Sequence, residues 1–187
     1  MSILSTDEER LRFPAGRFTP PDAVTPAERE RWIGELAAHP AQLRALVERM
    51  SEAQLDTPYR PGGWTVRQVV HHLPDSHMNA YVRVKLALTE HAPTIKPYDE
   101  ARWAELPDTR LTPVAVSLAL VEALHARWTA LLGSLTPEQW KRTFVHPDHG
   151  RAMTIETATA MYAWHARHHL GHVQLVMKGA AASGGAG

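Results

Sequence analysis

Apolar and polar positions alternate along this chain with the helical repeat in four stretches. The first opens at Thr25-Pro26-Ala27-Glu28, where threonine can cap, proline occupies the first helical position and glutamate can reach back to the cap. Its pattern continues to about Met50, and Pro40 inside it predicts two pieces, 26–38 and 40–50. The second stretch begins at Trp64-Thr65-Val66-Arg67-Gln68, again with capping-box spacing, and runs to about Thr89. Val66, Val69, Val70, Leu73, Ala80 and Val84 share one face of it; Pro74 within it predicts a kink that frees the carbonyl of Val70. The third covers about 113–132, with Val114, Leu118, Leu120, Val121, Leu124, Trp128, Leu131 and Leu132 forming a broad apolar face. The fourth, 154–176, contains no proline and is rich in Ala, Met and Leu.

The punctuation between these stretches is equally readable. Pro14, Pro20 and Pro21 make residues 1–24 an extended arm. Residues 51–63 read as a loop and 91–111 as a long, proline-rich connection with room for one helical turn. Thr136-Pro137-Glu138-Gln139-Trp140 reads as a short capped turn, and 144–153 as a turn with extended flanks, a hairpin. Small residues dominate 178–187, which reads as a disordered tail. One domain, 25–177, remains. The predicted class is all-α: a four-helix bundle whose long connections act as crossovers.

Polar residues at core-facing positions change this picture. His72, Ser76, Asn79 and Arg83 run as a stripe beside the apolar face of the second helix, as a helix lining a wet cavity requires. The fourth helix carries His165, His168, His169 and His172 within eight residues. His165 and His169, and likewise His168 and His172, have the i,i+4 spacing that lets two imidazoles on one helix face reach one metal ion. Ala158, Met161, Tyr162, Val173 and Val176 mark the buried direction, and His165 and His169 point near its middle. They are the first two candidate ligands; His168 and His172 fall at the rim or behind it. For a third ligand the second helix offers His71, His72 and His77. His71 points away from the apolar face, whereas His77 points into it and reads equally well as a core histidine. Trp64, Trp128 and Trp164 read as core or pocket wall. His125, His146 and His149 read as structural or surface groups.

Composition narrows the function classes. The chain has 187 residues, 44% hydrophobic, with 20 basic and 20 acidic side chains. A zero net charge gives no basic surface for nucleic acid or an anionic membrane. The absence of cysteine excludes disulfides, thiolate zinc sites and a cysteine nucleophile. No signal-peptide pattern opens the chain, and no apolar run is expected to reach the roughly 20 residues of a membrane span. The expectation is a cytoplasmic protein acting on a small-molecule substrate.

Long stretches resemble the YfiT branch of the DinB/YfiT family of inferred metal-dependent hydrolases. They are the arm Phe13-Pro14-Ala15-Gly16-Arg17-Phe18, Thr57-Pro-Tyr-Arg-Pro-Gly-Gly-Trp-Thr-Val-Arg-Gln-Val-Val-His-His-Leu-Pro-Asp-Ser-His-Met-Asn-Ala-Tyr81, Lys96-Pro97-Tyr98-Asp99, Leu124-His-Ala-Arg-Trp-Thr-Ala-Leu-Leu132, and Tyr162-Ala-Trp-His-Ala-Arg-His-His-Leu-Gly-His172. The resemblance implies a DinB-like bundle, a homodimer, and a metal triad of one histidine on the second helix and a spaced pair on the last. On this chain those positions are His72, His165 and His169. Where the family usually has alanine, this chain has Pro74, two residues past His72.

Three neutral imidazoles suit one divalent ion per chain, with zinc ahead of nickel, and leave a coordination position open, as catalytic rather than structural zinc does. Water taken at such a position is acidified toward about pH 7, and a thiol would be held as thiolate. Three functions fit: a metal-dependent hydrolase; an S-transferase using a low-molecular-weight thiol of the bacillithiol type; or a non-catalytic metal- or ligand-binding bundle. Asp75 and Asn79 are candidates to orient His72 or bound water, Asp75 or a spare histidine to act as general base, and Arg60, Arg83 and Lys85 to receive a thiol's acidic groups.

Overall fold

A computed structural model of the chain describes residues 6–148 and 150–184. Four long helices make the body: α2, Pro26–Val47; α4, Val66–Thr89; α7, Val114–Gly133; and α9, Ile155–Gly184. Short helices accompany them: α1, Thr6–Arg12; α3, Glu52–Leu55; α5, Glu100–Trp103; α6, Asp108–Leu111; and α8, Pro137–Trp140. A two-stranded hairpin precedes α9. It consists of β1, Thr143–His146, and β2, Arg151–Thr154, antiparallel with Thr143 opposite Thr154 and His146 opposite Arg151. Gly150 closes its turn at φ 58°, a conformation that glycine adopts without a Cβ clash.

The helices begin where the sequence signals them. Thr25, Ser51, Thr65 and Thr136 each make the reciprocal capping box with the residue three positions on. α2 packs on α7 and α9, and α4 packs on the same two helices. Helices consecutive among the long four are therefore not always neighbours: the connections from α2 to α4 and from α7 to α9 cross the bundle diagonal, whereas the long 91–111 segment joins the neighbours α4 and α7.

Several expected boundaries are corrected. α2 is one helix rather than two pieces. Trp32, Leu36, His39, Leu43 and Val47 form one continuous buried stripe across Pro40, and their packing on α7 and α9 outweighs the single backbone bond that proline removes. Pro74 likewise lies buried inside an uninterrupted α4. The arm is helical at Thr6–Arg12, upstream of its first proline, with Asp7, Glu8 and Glu9 in the first turn where the helix dipole favours them. The loop 51–63 contains α3. The tail continues α9 to Gly184, because a run of alanines extends a helix at little cost; Gly185–Gly187 and His149 lie outside the described residues. Finally, α7 is by length and composition apolar enough to cross a membrane. Here it packs between α2 and α4 and buries Ser117, His125 and Trp128 with its aliphatic side chains.

Two large apolar clusters fill the interior, and a small third one joins Trp32 of α2 to Ala160 and Ala163 of α9. One large cluster gathers Leu36, Ala80, Val84, Trp128, Leu132, Phe144, Ile155 and Tyr162; the other gathers Leu43, Val47, Val69, Val70, Leu73, Leu118, Val121 and Val173. Each long helix passes from one to the other through a histidine: His39 in α2, His77 in α4, His125 in α7, and His165 with His169 in α9. A buried layer of imidazoles thus crosses the bundle between two hydrocarbon plugs, and the site grows from that layer.

Candidate metal centre

α4 brings His72 into the layer two turns after its Thr65 cap, and α9 brings His165 and His169 from successive turns of one face. The nearest approach is between His72 Nε2 and His165 Nε2, 3.3 Å apart. One ring nitrogen from each of His72, His165 and His169 lies within 4.8 Å of the others, a spacing at which the three could hold one metal ion. His168, His169 and His172 form a second group meeting the same criterion and sharing His169 with the first. His71 is turned away, its Nδ1 2.7 Å from the Ser117 hydroxyl of α7.

Burial keeps these rings neutral. Desolvation, then mutual repulsion among the imidazoles, holds His165 and His169 well below the ordinary histidine range; desolvation, then His168, lowers His72 to about 4. A neutral imidazole is the form that donates a lone pair to a metal, so the donor set is in its ligating state at neutral pH without competing protons.

Further histidines stand behind the three candidate ligands and touch their ring nitrogens. His77 Nε2 lies 3.0 Å from His165 Nδ1, and His77 Nδ1 lies 2.6 Å from His125 Nε2. His125 Nδ1 donates to the Leu36 carbonyl at 2.6 Å. On the other side, His172 Nδ1 lies 3.3 Å from His169 Nδ1, and His172 Nε2 donates to the Arg12 carbonyl at 3.3 Å. The arm is thus part of the site. Its Pro14 packs against Gly171, where an added Cβ would come within 2.8 Å of the proline ring, and its Gly16 carbonyl accepts from the Trp164 indole. Tyr59 stacks on His172 at 3.7 Å between ring centres.

The three candidate ligands border a pocket of about 280 Å³ whose remaining lining is Trp64, Ser76, Tyr98, Glu100, Trp164 and His168. Trp64 sits 4.7 Å from His72 between ring centres and Trp164 stacks on His168 at 4.6 Å. Burial pushes the Tyr98 phenol up to about 12, so it enters the pocket as a hydrogen-bond donor. Tyr98 and Glu100 come from the 91–111 connection. That segment is pinned to β1: the Ile95 N–H donates to the Val145 carbonyl, and the Val145 N–H donates to the Pro93 carbonyl. Sequence reading passed over both residues, because nothing in their spacing ties this connection to α9.

The other candidate side chains lie away from the pocket. Asn79 donates to the Asp75 carbonyl, and Asp75 stands outside the pocket lining, raised to about 6 by burial and by Asp108. Arg83 is buried and donates to the Lys96 carbonyl, Arg60 donates to the Pro61 carbonyl, and Lys85 lies over Tyr81, so none of the three lines the pocket. A larger groove of about 560 Å³ between α3, α4 and α6 is bordered by Arg67, paired with Glu52 and Asp56, and by Glu105 and Arg110.

Comparison with known proteins agrees with this architecture. The profile of the DinB superfamily matches residues 35–173. YfiT of Bacillus subtilis (strain 168) is 52% identical over 163 residues, covering 87% of this chain and 92% of that protein. A relative from Bacillus cereus (strain AH820), bearing a similar provisional hydrolase name, is 52% identical over 168 residues, covering 90% and 96%. The solved structure of B. subtilis YfiT, described as "a probable metal-dependent hydrolase with an unusual four-helix bundle topology", superposes with a TM-score of 0.88 at 50% identity, over 90% of this chain and 97% of that one. In sequence over most of its length, and in the arrangement of its helices, this chain belongs to the DinB superfamily, in its YfiT branch.

Proposed function

We propose that this chain is a metal-dependent hydrolase in which His72, His165 and His169 hold one divalent ion, zinc ahead of nickel, at the floor of the pocket. The observation that carries the reading is the convergence of three neutral imidazoles, His72 and His169 buried and His165 half-buried, beside polar groups that belong to no ligand set, Ser76, Tyr98 and Glu100. An ion held by these three uncharged ligands would keep its full charge and an open position, and would supply Lewis-acid polarisation of a substrate oxygen and a more acidic bound water. The names of the relatives point to the same class.

The residues of the chain divide the remaining work. The indoles of Trp64 and Trp164 wall the pocket and exclude bulk water from an apolar part of the substrate. Tyr98, a neutral phenol at the working pH, donates a hydrogen bond that orients the substrate. Glu100 is the carboxylate at the pocket and takes the proton of the attacking water; its exposure at the rim lets it pass the proton to solvent. A pocket of this size admits a small molecule rather than a polymer.

The test is turnover of a broad ester, amide and phosphoester panel by the zinc-loaded and nickel-loaded protein, with and without added small thiols. Hydrolysis with substrate and metal alone, abolished by His72→Ala and lowered at least ~10²-fold by Glu100→Gln, supports the proposal. Turnover only when a thiol is supplied would replace hydrolysis by S-transfer. Tight metal binding with no turnover in either arm would leave a binding module.

A further inference from the structure

The hydrogen bonds behind the site determine where its protons sit. A backbone carbonyl only accepts. His125 Nδ1, 2.6 Å from the Leu36 carbonyl, therefore carries a proton. His125 is buried and neutral, so its Nε2 is a lone pair, and His77 Nδ1 at 2.6 Å must donate to it. His77 is fully buried and neutral in turn, which leaves its Nε2 to accept from His165 Nδ1 at 3.0 Å. With its one proton on Nδ1, neutral His165 presents a bare Nε2, the nitrogen that faces His72.

The same logic runs from the opposite side of the bundle. The Arg12 carbonyl requires a proton on His172 Nε2, so His172 Nδ1 accepts from His169 Nδ1. His169 is left with a bare Nε2. Two carbonyls on different elements, α2 and the arm, thus place the lone pairs of two α9 imidazoles through chains of buried histidines. In free histidine the Nε2–H form is the more common neutral tautomer, so the opposite choice here needs a cause, and the carbonyls supply it.

We propose that His77, His125 and His172 are positioning residues that lock His165 and His169 in the Nδ1–H tautomer, so that both Nε2 lone pairs are aimed at the metal position before any ion arrives. The proposal rests on the triad reading above for its purpose and on the hydrogen bonds alone for its content. Such partners orient ligands and raise their basicity, and removing one typically costs 10–100-fold in metal affinity. His172 held in this way is a partner of His169, and the group His168, His169 and His172 does not form a second metal site.

Two measurements at pH 7.5 test it. The first records the tautomer of every histidine in the metal-free, full-length protein by long-range ¹H–¹⁵N correlation after ¹⁵N-histidine labelling. His77, His125, His165 and His169 are expected as Nδ1–H and His172 as Nε2–H; an Nε2–H form at His165 or His169 overturns the proposal. The second measures Zn²⁺ affinity by competition with a chromophoric chelator. His77→Phe, which cannot accept from His165, is expected to weaken binding about 10–100-fold, and His77→Gln, whose amide can both accept and donate, to restore most of it. The exposed His91→Gln is expected to bind as the parent does. Equal affinity in His77→Phe and the parent overturns the proposal, as does a stoichiometry of two ions per chain. If His77→Phe does not fold, the tautomers of the unaltered protein still decide. Failure of the triad reads differently: His72→Ala, His165→Ala and His169→Ala would all keep their zinc while the tautomers stayed as assigned.

Discussion

At the scale of single residues, the site depends on groups that differ little in type and greatly in environment. Of the twelve histidines, the three candidate ligands are not set apart by burial, since His39, His77, His125 and His172 are buried at least as deeply; they converge, as does the overlapping group His168, His169 and His172, and what separates the two groups is that only the first borders the pocket with all three members. His72→Ala, His165→Ala or His169→Ala should each lose most of the bound metal in stoichiometry measurements on purified protein, whereas His168→Ala should retain it. Gly171 makes a separate prediction. Its missing side chain lets Pro14 of the arm approach α9 beside His172, and a Cβ there would meet the rigid proline ring at 2.8 and 2.9 Å. Gly171→Ala should push the arm off α9 and lower stability by about 1–3 kcal/mol in urea unfolding, with m unchanged.

At the scale of elements, α4 has the clearest links from sequence to site. The capping box at Thr65 fixes where the helix starts, and His72 follows two turns later. Thr65→Ala should cost roughly 1 kcal/mol by thermal or chemical unfolding. α2 and α9 are joined at a half-buried ion pair between Arg29 and Glu156, 2.6 Å apart. That pair lies near the start of both helices and helps set the direction in which α9 presents its histidines. The elements also show where reading by local rule fails. Pro40 and Pro74 are strong local breakers, yet both sit in unbroken helices because the buried stripes on either side pack continuously. The arm failed in the other direction: prolines at 14, 20 and 21 say nothing about residues 6–12, which are free to coil.

At the scale of the whole molecule, the buried imidazole layer couples stability to pH. Burial lowers His39 and His172 to about 3 and His72 and His168 to about 4, against an ordinary value near 6.5 in the unfolded chain. The folded state therefore binds fewer protons than the unfolded state below pH 6.5. Stability is flat above that value and falls as pH drops from about 6.5 toward 4, by up to ~1.4 kcal/mol per pH unit for each such histidine. Melting temperatures recorded from pH 8 to pH 4 should show this slope, and loss of metal near pH 5 should add to it. Chelation at pH 7.5 should lower the melting temperature while far-ultraviolet circular dichroism stays helical, because the two apolar clusters hold the bundle without the ion; saturating zinc at 100 times Kd would contribute about 2.7 kcal/mol. For assembly, Met78 and Val82 on α4 and Val116 and Leu120 on α7 are the large apolar side chains exposed on the long helices among the described residues. We propose that they form the homodimer face; light scattering at micromolar concentration should give twice the chain mass, and Leu120→Asp should reduce it to one.

The sequence by itself determined the class of fold, the caps of α2, α4 and α8, and the α9 pair His165 and His169. Those features are local: capping needs residues three positions apart, and i,i+4 histidines share a face whatever surrounds them. It could not choose among His71, His72 and His77 without the family resemblance, because on one helix all three are polar residues within two turns. The resemblance singles out His72, and the tertiary structure supplies the physical reason, turning His71 to Ser117, His72 to His165 and His77 to His125. The tertiary structure alone brought Tyr98 and Glu100 to the pocket and the carbonyls of Leu36 and Arg12 behind the ligands. Leu36 and His125 are 89 residues apart, and Arg12 and His172 are 160. A contact across such distances leaves no periodicity to read, because it exists only once four helices have packed and each has fixed the rotation of the others.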